Sequence, residues 1–162
     1  MSTKRMSRVA ILAALAIALR FAFASFPNIK PIAAIFLICL LYFPLFDSLL
    51  IMTLTMLGSS LLFGFGIVVC WQILSFAGVL LLWKYLVLPL IKSGKLSIPL
   101  QSFLAGFSMF FYGFLISLLS AVQYGVNPFV YWLNGLTFDL LHVLSTALFY
   151  PIIYHIFRRF LE

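Results

Sequence analysis

Acid is the scarcest chemistry in this chain. Only three of its 162 residues are Asp or Glu, charged residues of both signs make up 8%, and the two cysteines, Cys39 and Cys70, show no CxxC or Cys/His spacing. Each shortage excludes something. Soluble domains carry roughly 25% charged residues, so an ordinary soluble fold is excluded. Two isolated cysteines indicate neither a disulfide framework nor a metal site. No GxSxG, HExxH or Walker A pattern occurs, which removes the common hydrolase, zinc-protease and nucleotide-binding signatures. Internal repeats and low-complexity segments are absent as well.

What fills the chain instead is apolar: 65% hydrophobic residues and a mean hydropathy of +1.24. These values predict an all-α integral membrane protein, with residues 1–162 forming one bundle. The net charge of +7 could suggest nucleic acid. The ten Lys and Arg, however, lie mostly in short clusters beside apolar segments, as topology determinants do, so no nucleic-acid partner is expected. Cutting at the breakers gives six helices, approximately 7–25, 31–45, 48–63, 71–91, 99–122 and 133–160, of which the second and third are short for a span. Lys4, Arg5 and Arg8, then Lys92 and Lys95, then Arg158 and Arg159 fall on one side; Lys30 and Arg20 remain for the other. Both termini are therefore expected in the cytoplasm. The leading MSTKRMSR has the positive flank of a signal peptide, but Arg20 interrupts the apolar run and the segment is read as retained.

The first helix organises the rest. Ala10, Ala14, Ala18 and Ala22 recur every four residues, and each step of four drifts only about 40°, so they form a smooth, slowly winding stripe. Such a stripe suits close helix approach, either as an internal seam or as a face for an external partner. Arg20 points away from it. In helix six, Gly135, Asp139, His142 and Thr146 share a polar face that should avoid lipid. Asp139 and Arg20 lie at matched depths, and an unpaired charge in hydrocarbon is costly, so the two are expected to pair or to share one cluster with His142. The alternative is that Asp139 only bonds His142. An intramembrane enzyme using Asp139 and His142 as a base pair is a lower alternative, since no second carboxylate at depth completes a site. Helix five offers Ser102, Gly106, Gly113, Ser117 and Tyr124 as another close-packing surface. At the inner turn, Asp47 is expected to cap helix three.

The outward connections are aromatic, amide-bearing and nearly uncharged. They read FPNIKP at 26–31, FGFGIVVCWQ at 63–72 and QYGVNPFVYWLN at 123–134. Aromatics near an interface anchor to lipid, but that does not explain the glycines and amides gathered on the same side.

With six spans, both ends inside, an AxxxA first helix, PNIKP in the first outer loop, and a Gly/aromatic third loop followed by WQI, the chain resembles the substrate-binding S component of an energy-coupling factor (ECF) vitamin transporter, most of all the cobalamin type. The inner turn YFPLFDS departs from the small Gly-Pro turn of many relatives. The resemblance implies a bacterial cell-membrane complex with a transmembrane scaffold subunit and two cytoplasmic ATPases that use ATP and Mg, with no catalysis and no cofactor in this chain. It assigns Ala10, Ala14 and Ala18, extended to Ala22, to scaffold docking. It places the vitamin in an outward cavity with Asn28, Lys30, Phe65, Trp71, Gln72, Tyr124, Asn127, Tyr131 and Asn134 as pocket residues. Cobalamin is the expected vitamin, because the mouth looks broad and poor in charge. Pantothenate is the alternative should Arg20 prove free of a partner.

Overall fold

Local breakers set where each helix begins and ends. Ser2 holds an extended backbone and its hydroxyl accepts from the Arg5 N–H at 3.4 Å, opening α1, Thr3–Ala22. The computed structural model describes residues 2–161, and these are all-helical apart from turns and connections. After α1 come α2 (Ile32–Tyr42), α3 (Leu45–Phe63), α4 (Ile67–Lys92), α5 (Ile98–Tyr124) and α6 (Pro128–Leu161). Gly125 closes α5 in the left-handed region at φ 65°, with the Val126 N–H returning to the Ala121 carbonyl at 3.0 Å. That is the geometry glycine permits at a helix end. Asn127 then caps α6, its Oδ1 accepting from the N–H groups of Phe129 and Val130, with Pro128 in the first turn. The sixth helix therefore starts five residues before the expected 133.

Four helices, α3 to α6, are long and apolar enough to cross a membrane. The other two are not of that kind. α1 carries Lys4, Arg5, Arg8 and Arg20, and α2 has 11 residues, about 16 Å at 1.5 Å each, roughly half a hydrocarbon core. α2 is apolar on every side, and every residue from Pro31 to Leu40 is buried. A helix without a polar face belongs inside a bundle. It is flanked by α1, α3, α4 and α6, and the core that includes it takes residues from all six helices.

The tightest pairing joins α5 and α6. A methyl group at Gly106 would meet the Val143 carbonyl and Ala147, and one at Gly113 would fall on the Asp139 carboxylate. At Gly106 the backbone of the partner helix occupies the space, whereas at Gly113 the Asp139 side chain does. α4 widens into one π-turn over Trp83–Val87, just ahead of Pro89, whose ring would otherwise press on the Tyr85 carbonyl one α-turn back. On α1, Val9, Ala13 and Ala16 face inward, while Ala10, Ala14, Ala18 and Ala22 are all exposed. The alanine stripe is thus not an internal seam of this chain.

The first turns of α1, the last turns of α6 and the α2–α3 turn gather at one end of the bundle. There Arg5 donates through Nε to both Asp47 oxygens at 2.8 Å and also through Nη2, and Arg8 approaches the same carboxylate at 3.6 Å. Arg8 also stacks over the Phe43 ring, 4.3 Å from its centroid. The expected capping role of Asp47 is corrected: α3 begins at Leu45, and Asp47 lies inside its first turn with a buried side chain turned to α1. The sequence reading missed that two arginines of α1 reach it.

Candidate functional site

The first connection, residues 23–31, does not stay at the surface. Asn28 adopts φ 54°, a left-handed conformation that Asn tolerates better than most side-chain-bearing residues, and its amide donates to the Phe138 carbonyl at 2.9 Å. Two residues on, the Lys30 N–H donates to Ser145 Oγ at 2.9 Å, and the Ser145 hydroxyl donates to the Lys30 carbonyl at 3.1 Å. Phe23 packs edge-on against Phe149, 5.5 Å between centroids. The loop is strapped along α6 and dips between the helices, which is why α2 can be so short. Irregular backbone at such depth needs protein partners or a polar cavity.

That cavity lies directly beneath. It encloses about 60 Å³ and takes residues from every helix: Arg20 from α1, Ile32 from α2, Met56 from α3, Gln72 and Phe76 from α4, Tyr112 from α5 and His142 from α6, with Asn28 and Lys30 supplied by the loop. One water needs about 10–15 Å³ by such a measure, so there is room for a few waters or one small polar group. Phe76 and Tyr112 pack at a tilt with centroids 4.2 Å apart, and both meet the His142 ring edge-on, at 6.1 and 5.1 Å. His142 is thereby held as part of an aromatic wall.

Arg20 is the centre of the charge. Its Nη1 donates to Ser59 Oγ at 2.5 Å and lies 3.3 Å from Met56 Sδ, and its Nη2 donates to Gln72 Oε1 at 3.1 Å. All three acceptors are neutral, and a guanidinium has five N–H donors in its fork. Lys30 is the second cation. Arg20 and Lys30 flank one ring, Phe63, at 5.5 and 5.9 Å from its centroid. Burial first, and then repulsion from Arg20, hold the Lys30 ammonium below the usual lysine range. Among the described residues neither cation has a carboxylate within ion-pair distance.

The expected Arg20–Asp139 pair is therefore corrected. Asp139 accepts from Trp132 Nε1 at 3.1 Å and lies over Gly113 on the α5 side. Helical phase explains the miss: Asp139 and His142 are three residues apart, about 60° short of a full turn, so His142 lines the cavity while Asp139 faces the neighbouring helix. The two side chains do not form the base pair that an enzyme reading would need.

Of the nine expected pocket residues, Asn28, Lys30 and Gln72 converge on the cavity. The other six do not line it. Phe65 is exposed, and Trp71 donates to Gln123 Oε1 at 2.6 Å. Tyr124 and Tyr131 stack on each other at 6.4 Å, both exposed, Asn127 caps α6, and Asn134 is exposed. Ile32, Met56, Phe76 and Tyr112 were missed. For Phe76 there was a signal, since it lies one turn from Gln72; a buried tyrosine hydroxyl in mid-helix could have marked Tyr112. Met56 and Ile32 look like any core residue in sequence. Among the described residues no group of His, Cys, Asp or Glu could hold a metal ion.

Comparison of the chain with family models, with curated proteins and with solved structures returns no match.

Proposed function

We propose that this chain is the substrate-binding subunit of an ECF-type importer and that its substrate is a small vitamin bearing a carboxylate, pantothenate before cobalamin. One observation carries the choice: Arg20 and Lys30 share a polar cavity, and among the described residues no carboxylate neutralises either of them. A buried cation served only by neutral acceptors favours an incoming anion, and charge-assisted hydrogen bonds are about twice as strong as neutral ones. Gln72, Asn28 and His142 add donors and acceptors for amide and hydroxyl groups, and Phe76 and Tyr112 supply apolar surface, the mixture small-molecule sites use. The corrinoid reading took the mouth to be broad and poor in charge and left pantothenate for the case of an unpaired Arg20; among the described residues Arg20 has no carboxylate partner. At about 60 Å³ the cavity is smaller than the roughly 300–1,000 Å³ of typical ligand sites, so the carboxylate would enter first and the strapped loop would lift over the remainder. Exposed Phe65, Tyr124 and Tyr131 are what a wide amphipathic ligand would meet instead.

In the same proposal six helices cross a bacterial membrane with both termini cytoplasmic, and the exposed alanines of α1 receive a scaffold subunit that works with two ATPases. Titration calorimetry of the purified subunit with pantothenate, cobalamin and cobinamide tests the substrate. Nanomolar to micromolar binding of pantothenate alone is expected; binding of either corrinoid with none of pantothenate overturns the choice. For the complex, Ala14→Trp with Ala18→Trp should abolish copurification with partner subunits while ligand binding by the solitary chain persists. A double variant that still assembles shows that the docking face lies elsewhere.

A further inference from the structure

At the end of the bundle that carries the start of α1 and the end of α6, these two helices leave an open groove of about 520 Å³. Its chemistry is ordered along its length. Lys4 and Arg8, in the first turns of α1, form one end; Ile11 and Leu15 continue down α1, with Phe157 and Phe160 of α6 opposite. From Lys4 to Leu15 is about 16 Å of helix, which matches the acyl depth of one leaflet in a hydrocarbon core of roughly 30 Å. The charge at the polar end is unbalanced. Among the described residues Asp47 is the one carboxylate there, it is shared by Arg5 and Arg8, and Lys4 stands beside them, so α1 alone brings three cations to one anion. Arg8 is also fixed in place by the Phe43 ring beneath it. A cationic head region joined to an apolar slot one leaflet deep is complementary to a molecule with an anionic head and hydrocarbon tails.

We propose that this groove is a binding site for one anionic phospholipid, its phosphate at Lys4 and Arg8 and an acyl chain along Ile11, Leu15 and Phe160. The site is independent of the substrate reading above; only its assignment to the cytoplasmic leaflet follows from the orientation given there. Anionic lipids gather on that leaflet and are drawn to basic residues near its surface.

Native mass spectrometry of the purified full chain, titrated with phosphatidylglycerol and with phosphatidylcholine of identical acyl chains, tests it. One tightly retained phosphatidylglycerol is expected. Lys4→Gln should reduce the preference for it about fivefold, the share of one basic residue. Ile11→Trp should fill the slot and lower retention of both lipids at least tenfold, with an unchanged thermal melt. Should Ile11→Trp fail to fold, Phe160→Ser, at a position 79% exposed, carries the same test by removing one wall. Equal retention of the two lipids, or retention indifferent to the slot variants, overturns the proposal. So does a groove that takes neither lipid and is covered only when partner subunits are present, since it would then belong to a protein helix.

Discussion

The two ends of the bundle treat positive charge in opposite ways. At the terminal end Arg5 and Arg8 converge on Asp47, a carboxylate buried between the helices it joins. Toward the other end Arg20 and Lys30 flank Phe63, Arg20 meets hydroxyl, amide and thioether groups, and neither has a carboxylate partner among the described residues. A cation given a carboxylate has been given a structural task. On the reading proposed above, one supplied with neutral acceptors and a cavity keeps its electrostatic demand for an incoming anion, as cations buried within a membrane do by default. If this comparison is right, charge removal at the cavity should alter binding, and charge removal at the terminal end should alter the fold.

The largest effect is expected at Arg20. Arg20→Gln keeps polar reach but deletes the charge, and truncating one partner of a desolvated charge pair costs roughly 2–5 kcal/mol in binding. Pantothenate affinity should fall about 100-fold or more, with the melt of the unliganded protein little changed or raised, because a desolvated cation has been removed. Calorimetry and a thermal melt on the same preparation check both halves. A large drop in melting temperature with modest loss of affinity would make Arg20 a structural residue and erase the contrast.

Next comes Gly113, which separates the two aspartates as the ends separate the arginines. Asp47 takes arginines, whereas Asp139 takes an indole N–H and the bare backbone of Gly113. Gly113→Ala forces a methyl group into the carboxylate, and overpacking of this kind costs about 1–3 kcal/mol. Chemical or thermal unfolding should show that loss, and Gly113→Ala combined with Asp139→Ala should recover part of it. Strictly additive losses would place the crowding elsewhere.

How legible was this in the sequence? Composition identified the helical, membrane-suited class, and breaker positions found all six helices, with ends off by up to five residues. The alanine stripe was visible from spacing alone; that it faces outward was not. Pairing of charges was not. Depth along a helix can be counted in residues, but partner choice depends on helix rotation and on which neighbour is adjacent, and neither is written in one segment. That is why Arg20 and Asp139, equal in depth, face different helices, and why Arg5 and Asp47, 42 positions apart, went unseen. Loop residues misled for another reason: Asn127 and Trp71 carry groups that suit a ligand, and the local backbone and Gln123 use them first.

A smaller effect is expected at Lys30. Its ammonium is held below the ordinary lysine range by burial and by Arg20, so as pH rises it loses its proton earlier than a free lysine. Affinity for a carboxylate should therefore be full while Lys30 is protonated and should decline as pH climbs through that lowered value, earlier than for an ordinary lysine. A bound carboxylate favours the protonated form, so ligand should shift the decline upward. Lys30→Gln should cost about tenfold at neutral pH and flatten the profile. A variant that keeps the alkaline decline would assign it to another group.

The smallest effect on binding is expected from Asp47, and that smallness is what the comparison requires. Asp47→Asn preserves an oxygen that can accept from Arg5, yet removes the charge that Arg5 and Arg8 share. Their side chains are 35% and 39% exposed, so water can take over part of the solvation, and partly exposed ion pairs contribute modestly and are screened by salt. The melting temperature should drop, more at low ionic strength than at high, while pantothenate affinity stays within about twofold of the parent protein. Were Asp47→Asn to weaken binding as much as Lys30→Gln does, the carboxylate at the terminal end would be felt at the cavity. The α1 helix, which carries Arg5, Arg8 and Arg20 on one rigid rod, would then act as the coupling between the two ends.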